Sequence, residues 1–204
     1  MTRIALVRHG ETIWHAENRY AGVSDVPLTA RGEAQAERLG RWAAGAGLDA
    51  LWVSPLSRAR ATVAPAERAT GLAARADERL RELAIGDAEG LTPAEMDERF
   101  PDVRERFRRD PVAHHLPGGE DPVAAAGRAV ACLGEIAATH AGGRVLVVAH
   151  TTLIRLALCE LLGLPLPDYR RRFPAVHNTA ISEIGLEDGR ASLLALNIPL
   201  DAEP

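Results

Sequence analysis

The chain has 204 residues, 47% apolar and 25% charged, the composition of an ordinary globular protein long enough to bury a sizeable core in one domain. Its 24 basic and 28 acidic residues leave a formal net charge of −4, without the basic excess that a general nucleic-acid binder needs. Every basic residue is Arg and Lys is absent, which excludes Walker-type phosphate loops and Schiff-base chemistry.

In chain order, residues 3–7 read as a short, buried strand that runs into Arg8-His9-Gly10-Glu11. Apolar runs of this length bounded by polar residues belong to sheets covered on both faces. A helix is predicted from Ala30 to Trp42, with Thr29 as N-cap, Glu33 near the first turn, and Gly45 and Gly47 after it. Leu51-Trp52-Val53 reads as a strand, followed by Ser54-Pro55-Leu56-Ser57-Arg58 and a helix over 58–70 that contains Pro65. The stretch 80–120 is rich in charge, carries Pro93, Pro101, Pro111, Pro117 and Gly118-Gly119, and reads as a lid-like insertion over one end of the sheet. A helix over 121–140 leads to a strand over 144–149 that ends at His150. The helix over 152–162 stops before Leu164-Pro165-Leu166-Pro167. Two strands, over 179–186 and 192–198, flank the turn Glu187-Asp188-Gly189.

This alternation predicts an α/β fold. The expected form is a three-layer sandwich with a mostly parallel central sheet, helices on both faces and a lid-like insertion, all in one domain over 1–204. Cys132 and Cys159 lie in apolar helical patterns without a CxxC spacing, so neither a disulfide framework nor a zinc site is expected, and a reducing cytoplasm fits. The apolar stretches near the N-terminus and over 145–166 are broken by Arg8, His150, Arg155 and Glu160, which gives no membrane-spanning or signal segment.

Ligands of open α/β sheets bind outside the carboxyl ends of the strands, and there this sequence places Arg8, His9, Arg58 and His150. Arginine forks match phosphate oxygens, so a phosphoryl group is the expected ligand. A neutral imidazole at His9 can attack phosphorus to give an N-phosphoryl intermediate, with the surrounding cations stabilising the equatorial oxygens and no metal or cofactor required.

The sequence resembles the histidine phosphatase superfamily, also called the phosphoglycerate mutase-like family, over almost its whole length. The resemblance is carried by Leu6-Val7-Arg8-His9-Gly10-Glu11-Thr12, Trp14, Arg19, Gly22, Asp25, Pro27-Leu28-Thr29, Gly32 and Ser54-Pro55-Leu56-Ser57-Arg58-Ala59. It continues with Leu80-Arg81-Glu82-Leu83, Gly86, Glu89-Gly90, Pro117-Gly118-Gly119-Glu120 and Val148-Ala149-His150. It implies that His9 is the phosphorylated nucleophile, that Arg8, Arg58 and His150 form the phosphate pocket, and that Glu82 donates the leaving-group proton. A salt bridge from Glu82 to Arg79 or Arg81 is the structural alternative.

Two positions depart from the family pattern. His15 stands where Asn is common, which puts a titratable donor at the phosphate pocket, charged below a pKa of about 6.5; the alternative is a side chain pointing to solvent. Thr151-Thr152 stands where a glycine often follows the second histidine, and Thr151 is a candidate N-cap. Arg170-Arg171-Arg172 and Arg104, Arg106, Arg108 and Arg109 read as solvated helix faces. His114-His115 lacks a third metal ligand at sensible spacing.

The implied function is a phosphatase acting on a small phosphorylated metabolite through a phosphohistidine. Phosphoglycerate mutase is the alternative reading, and a non-catalytic phosphate-ester binding protein is a third. The length, shorter than that of typical cofactor-dependent mutases, points to the phosphatase branch.

Overall fold

The computed structural model describes residues 1–200. In chain order the elements are β1 (Thr2–Arg8), α1 (Ile13–Ala16), α2 (Ala30–Gly45), β2 (Ala50–Val53), α3 (Ser57–Thr70), β3 (Ala74–Ala76), α4 (Pro93–Arg99) and α5 (Pro101–Arg109). They continue with α6 (Pro122–Thr139), β4 (Arg144–Ala149), α7 (Thr151–Leu161), α8 (Tyr169–Arg172), β5 (Ile181–Glu187) and β6 (Arg190–Ile198). The strands form one six-stranded sheet in the order β3-β2-β4-β1-β5-β6. Its β3-β2, β2-β4 and β4-β1 pairs are parallel, and β1-β5 and β5-β6 are antiparallel. The mixed, mostly parallel α/β architecture read from the sequence is the one observed. β3 escaped that reading, because the three residues Ala-Arg-Ala carry no β-branching and are too few for their alternation to register.

Strand side chains alternate between two buried faces, as a covered sheet requires. Ile4, Leu6, Val145 and Val147 pack with Leu133 and Ile136 of α6 and Leu153 and Leu156 of α7. Ala5, Val7, Leu146 and Val148 pack with Leu39 of α2 and Val63 of α3 on the other face. The helices start where their caps direct: the Thr29 side chain accepts from Gly32 N–H, and that of Asp121 from Val123 N–H. A Cβ at Gly40 would come within 2.8 Å of Pro65, so glycine there lets α2 and α3 approach closely.

Residues 86–120 carry a small cluster of their own, in which Ala88, Met96, Phe107 and Leu116 are buried with Tyr20 packed against them. This segment returns to the body through backbone. A Cβ at Gly86 would come within 2.1 Å of the Pro117 carbonyl, and Gly86 has φ +55, so this crossing demands glycine on both counts. Among the described residues, no helix is long and apolar enough to cross a membrane.

Candidate active site

Parallel register builds the site. Arg8 of β1 lies opposite Ala149 of β4, and Val53 of β2 opposite Val148. The residues just beyond these strand ends, His9, Ser54 and His150, are therefore neighbours despite their distance in sequence. His9 N–H donates to the Ala149 carbonyl at 3.0 Å, and Ser54 N–H to that of Val148 at 3.0 Å. The His9 and His150 ring centroids lie 5.1 Å apart.

His9 Nδ1 lies 2.7 Å from its neighbour's carbonyl, Gly10 O, so Nδ1 carries the proton and Nε2 keeps its lone pair. Arg58 Nε donates toward that Nε2 at 3.3 Å. Burial, then the charges of His150, Arg8 and Arg58, hold the His9 pKa well below 6.5 against the opposing Gly10 contact, so the imidazole is neutral at pH 7. Gly10 is required by packing, since a Cβ there would come within 2.6 Å of the Gly32 carbonyl at the start of α2. Asn178 Nδ2 donates to the His9 carbonyl at 2.8 Å and fixes the strand end from the other side.

Arg58, on α3, is 1% exposed. Its Nη1 and Nη2 donate to the carbonyls of Ser24 at 2.7 Å and Gly22 at 2.6 Å. The Glu89 carboxylate accepts from the amides of the same two residues, so the loop that holds Arg58 is itself held. Arg8 donates through Nη1 to the Val176 carbonyl at 2.9 Å, and its pKa is lowered by burial to about 10.

His15 reaches the site: its Nε2 touches Arg8 Nη2, and its ring centroid lies 5.8 Å from that of His9. Its Nδ1 accepts the Thr12 N–H at 2.9 Å, which ties the ring to the start of α1 and turns Nε2 toward the Arg8 guanidinium. The ring remains exposed on its outer side. Burial and Arg8 bring its pKa down to about 4. The charge switch near pH 6.5 expected from sequence is thereby lowered out of the neutral range, by burial first and by the Arg8 cation second.

His150 is fully buried. Its Nε2 lies 2.7 Å from Ser54 Oγ, and burial together with Arg58 and Arg8 holds its pKa well below 6.5. Glu82 makes no ion pair with Arg79 or Arg81, which bind other carboxylates. It sits at the start of α7 instead. Its Oε1 accepts from the amides of Leu83 at 2.8 Å and Leu153 at 3.0 Å, and its Oε2 from that of Thr152 at 2.9 Å. The N-cap position of α7 is His150, with no side-chain cap of its own, so Thr151 is not the cap expected from sequence. A carboxylate from a distant segment supplies that role.

Arg8, His9, His15, Glu82 and Thr151 line one cleft of about 520 Å³ together with Trp14, Arg155 and Arg170. Around it, Arg8 Nε, His150 Nδ1, Thr151 Oγ1 and Arg155 Nε are buried without a hydrogen-bond partner, a concentration of unsatisfied groups that marks functional ground. Two arginines read from sequence as surface residues are placed otherwise. Arg104 is 6% exposed beneath Tyr20 and Phe107, and Arg170 lines the cleft while Arg171 and Arg172 pair with Asp168. Arg155 was missed because a single polar residue in a helix carries no motif.

The family model of the histidine phosphatase superfamily (branch 1) matches residues 4–199. The chain belongs to that superfamily. It is 31% identical over 198 residues to phosphoserine phosphatase 1 of Hydrogenobacter thermophilus, covering 97% of this chain and 93% of the relative. It is 35% identical over 184 residues to the probable phosphoglycerate mutase GpmB of Klebsiella pneumoniae, covering 90% and 85%. A mycobacterial glucosyl-3-phosphoglycerate phosphatase in complex with VO3 superposes with a TM-score of 0.88 at 29% identity, covering 96% of this chain and 99% of the other. This superfamily member thus has relatives named for hydrolysis and for phosphoryl transfer on small phosphorylated molecules.

Proposed function

We propose that this protein is a metal-independent phosphatase that hydrolyses a small-molecule phosphomonoester through a phosphohistidine on His9. The observation that carries this is the His9 tautomer: Nδ1 is tied to the Gly10 carbonyl, and the Nε2 lone pair, met only by the long Arg58 Nε contact at 3.3 Å, is available in a cationic cleft. In the first step, Nε2 forms a bond to phosphorus as the ester P–O bond breaks, and the leaving oxygen takes a proton from Glu82. Glu82 Oε1 already accepts two amides and Oε2 one, so the remaining lone-pair site, on Oε2, is the place for that proton. In the second step water attacks phosphorus, Glu82 takes the water's proton, and His9 leaves with its lone pair restored.

Arg8 and Arg58 supply fixed positive charge to the equatorial oxygens, and the neutral His15 ring stands beside Arg8. The cationic side chains stand where a divalent ion stands in other phosphoryl-transfer sites, which is the ground for metal independence. Residues 86–120, with their separate small core, act as a lid over the cleft within a single domain. A mutase differs by returning the phosphoryl group to substrate, and release of inorganic phosphate without transfer to a second phosphoglycerate separates the two. Brief mixing with labelled substrate followed by denaturation should leave a label on His9 that survives base and is lost in acid, as a phosphoramidate is. A label retained in His9→Ala overturns the assignment.

A further inference from the structure

The cleft holds more positive charge than a phosphoryl group needs. Arg8 in the cleft and Arg58 behind it, on His9 Nε2, suffice for the dianion, yet Arg155 of α7 and Arg170 of α8 line the cleft as well, and neither forms an ion pair among the described residues. Nearby arginines do pair: Arg19 with Glu17 and Glu95, and Arg171 with Asp168. The carboxylate of the cleft, Glu82, is engaged by three backbone amides.

Both guanidiniums are held in place by contacts that leave their charge unmatched. Arg155 donates through Nη2 to the Pro174 carbonyl at 2.7 Å, while its Nε is buried without a partner. Arg170 lies over the Phe107 ring at 4.4 Å and the Tyr169 ring at 5.3 Å, so its plane is set by aromatic stacking. The two repel each other, and burial together with Arg170 lowers the Arg155 pKa against the weaker pull of Tyr169 and Glu82. Fixed, mutually repelling cations in a cleft form a preorganised site for an anion, because ordering has already been accomplished and binding relieves the repulsion.

We propose that Arg155 and Arg170 form a subsite for a carboxylate on the leaving group, so that the substrate is a phosphomonoester of a hydroxy acid. This rests on the phosphatase reading for its chemistry, and on the charge inventory of the cleft for its specificity. Because Phe107 belongs to the segment 86–120, the subsite also joins that segment to the bound leaving group.

The test uses two matched pairs of probes: L-phosphoserine against phosphoethanolamine, and 3-phosphoglycerate against glycerol 3-phosphate. Each pair differs by a carboxylate. In the parent protein, kcat/KM for phosphate release should favour the carboxylate member by about tenfold or more, the size of one charge-assisted contact. That ratio should fall at least about fivefold in Arg155→Gln and in Arg170→Gln, and less in Arg170→Lys, which keeps the charge. A parent ratio near one, or a ratio unchanged in both Gln variants with folding verified by circular dichroism, overturns the subsite. If no probe releases phosphate, the phosphatase reading fails and the subsite is still decided by calorimetry on the parent. Tighter binding of each carboxylate member then supports it, and equal binding within a pair overturns it.

Discussion

Acidification should loosen this protein before its carboxylates titrate. His9 is 6% exposed and His150 fully buried, and both are held well below the ordinary value of 6.5 by burial and by neighbouring cations. Below about pH 6.5 the unfolded chain takes up protons that the folded pocket refuses, so this contribution is full above pH 6.5 and declines as pH falls. At pH 5.5 the loss is between about 1 and 2 kcal/mol for each histidine and about 3 kcal/mol for the pair. That is a large part of a typical total of roughly 5–15 kcal/mol, and corresponds to a fall in Tm of roughly 6–12 °C for a chain of this size. His15, with its pKa at about 4, adds less than a full share because its ring is exposed on one side and solvent screens it. Urea unfolding at pH 7.5, 6.5 and 5.5 measures the loss, and the variants His9→Gln and His150→Gln should each remove about half of it. Vanadate or phosphate, bound by the folded state alone, should restore stability at pH 5.5. Stability that stays level from pH 7.5 to 5.5, or that declines in both variants as much as in the parent, would refute the reasoning.

Other outcomes follow from the same geometry. Glu82→Gln removes the transferable proton, so alkyl phosphates should slow by roughly a hundredfold or more, while aryl phosphates with good leaving groups lose less in the first step; equal loss on both makes Glu82 a helix cap alone. His15→Asn keeps a neutral side chain beside Arg8, so its vanadate affinity should follow that of the parent between pH 6 and 8; a parent affinity that climbs steeply toward pH 6 and a variant that does not would establish a charged His15. Chelator should leave turnover unchanged and vanadate should inhibit, as a mimic of trigonal-bipyramidal phosphorus; activity lost on chelation and restored by a divalent ion contradicts metal independence.

The strands and the longer helices were legible because their signals are local. Ile4 to Val7 and Val145 to Ala149 are continuous apolar runs, and Thr29 and Gly45 mark the ends of α2. The short elements were not. β3 exists because β2 offers it hydrogen bonds, and α1 is stabilised by His15 capping Thr12, a contact that no helical pattern announces. Arg104 and Arg170 carry the charge of surface residues, and Tyr20 and Phe107 decide that their guanidiniums lie over aromatic rings.

The α/β class, the superfamily, and the placement of Arg8, His9, Arg58 and His150 near strand or helix ends could be read from the chain, because motif and apolar period are properties of neighbouring residues. Which nitrogen of His9 is free, what Glu82 touches, that His15 meets Arg8, and that Arg155 and Arg170 face the same cleft came only with folding. Those properties depend on hydrogen-bond partners and desolvation, which segments far apart in the chain supply only once β1, β2 and β4 have aligned their ends.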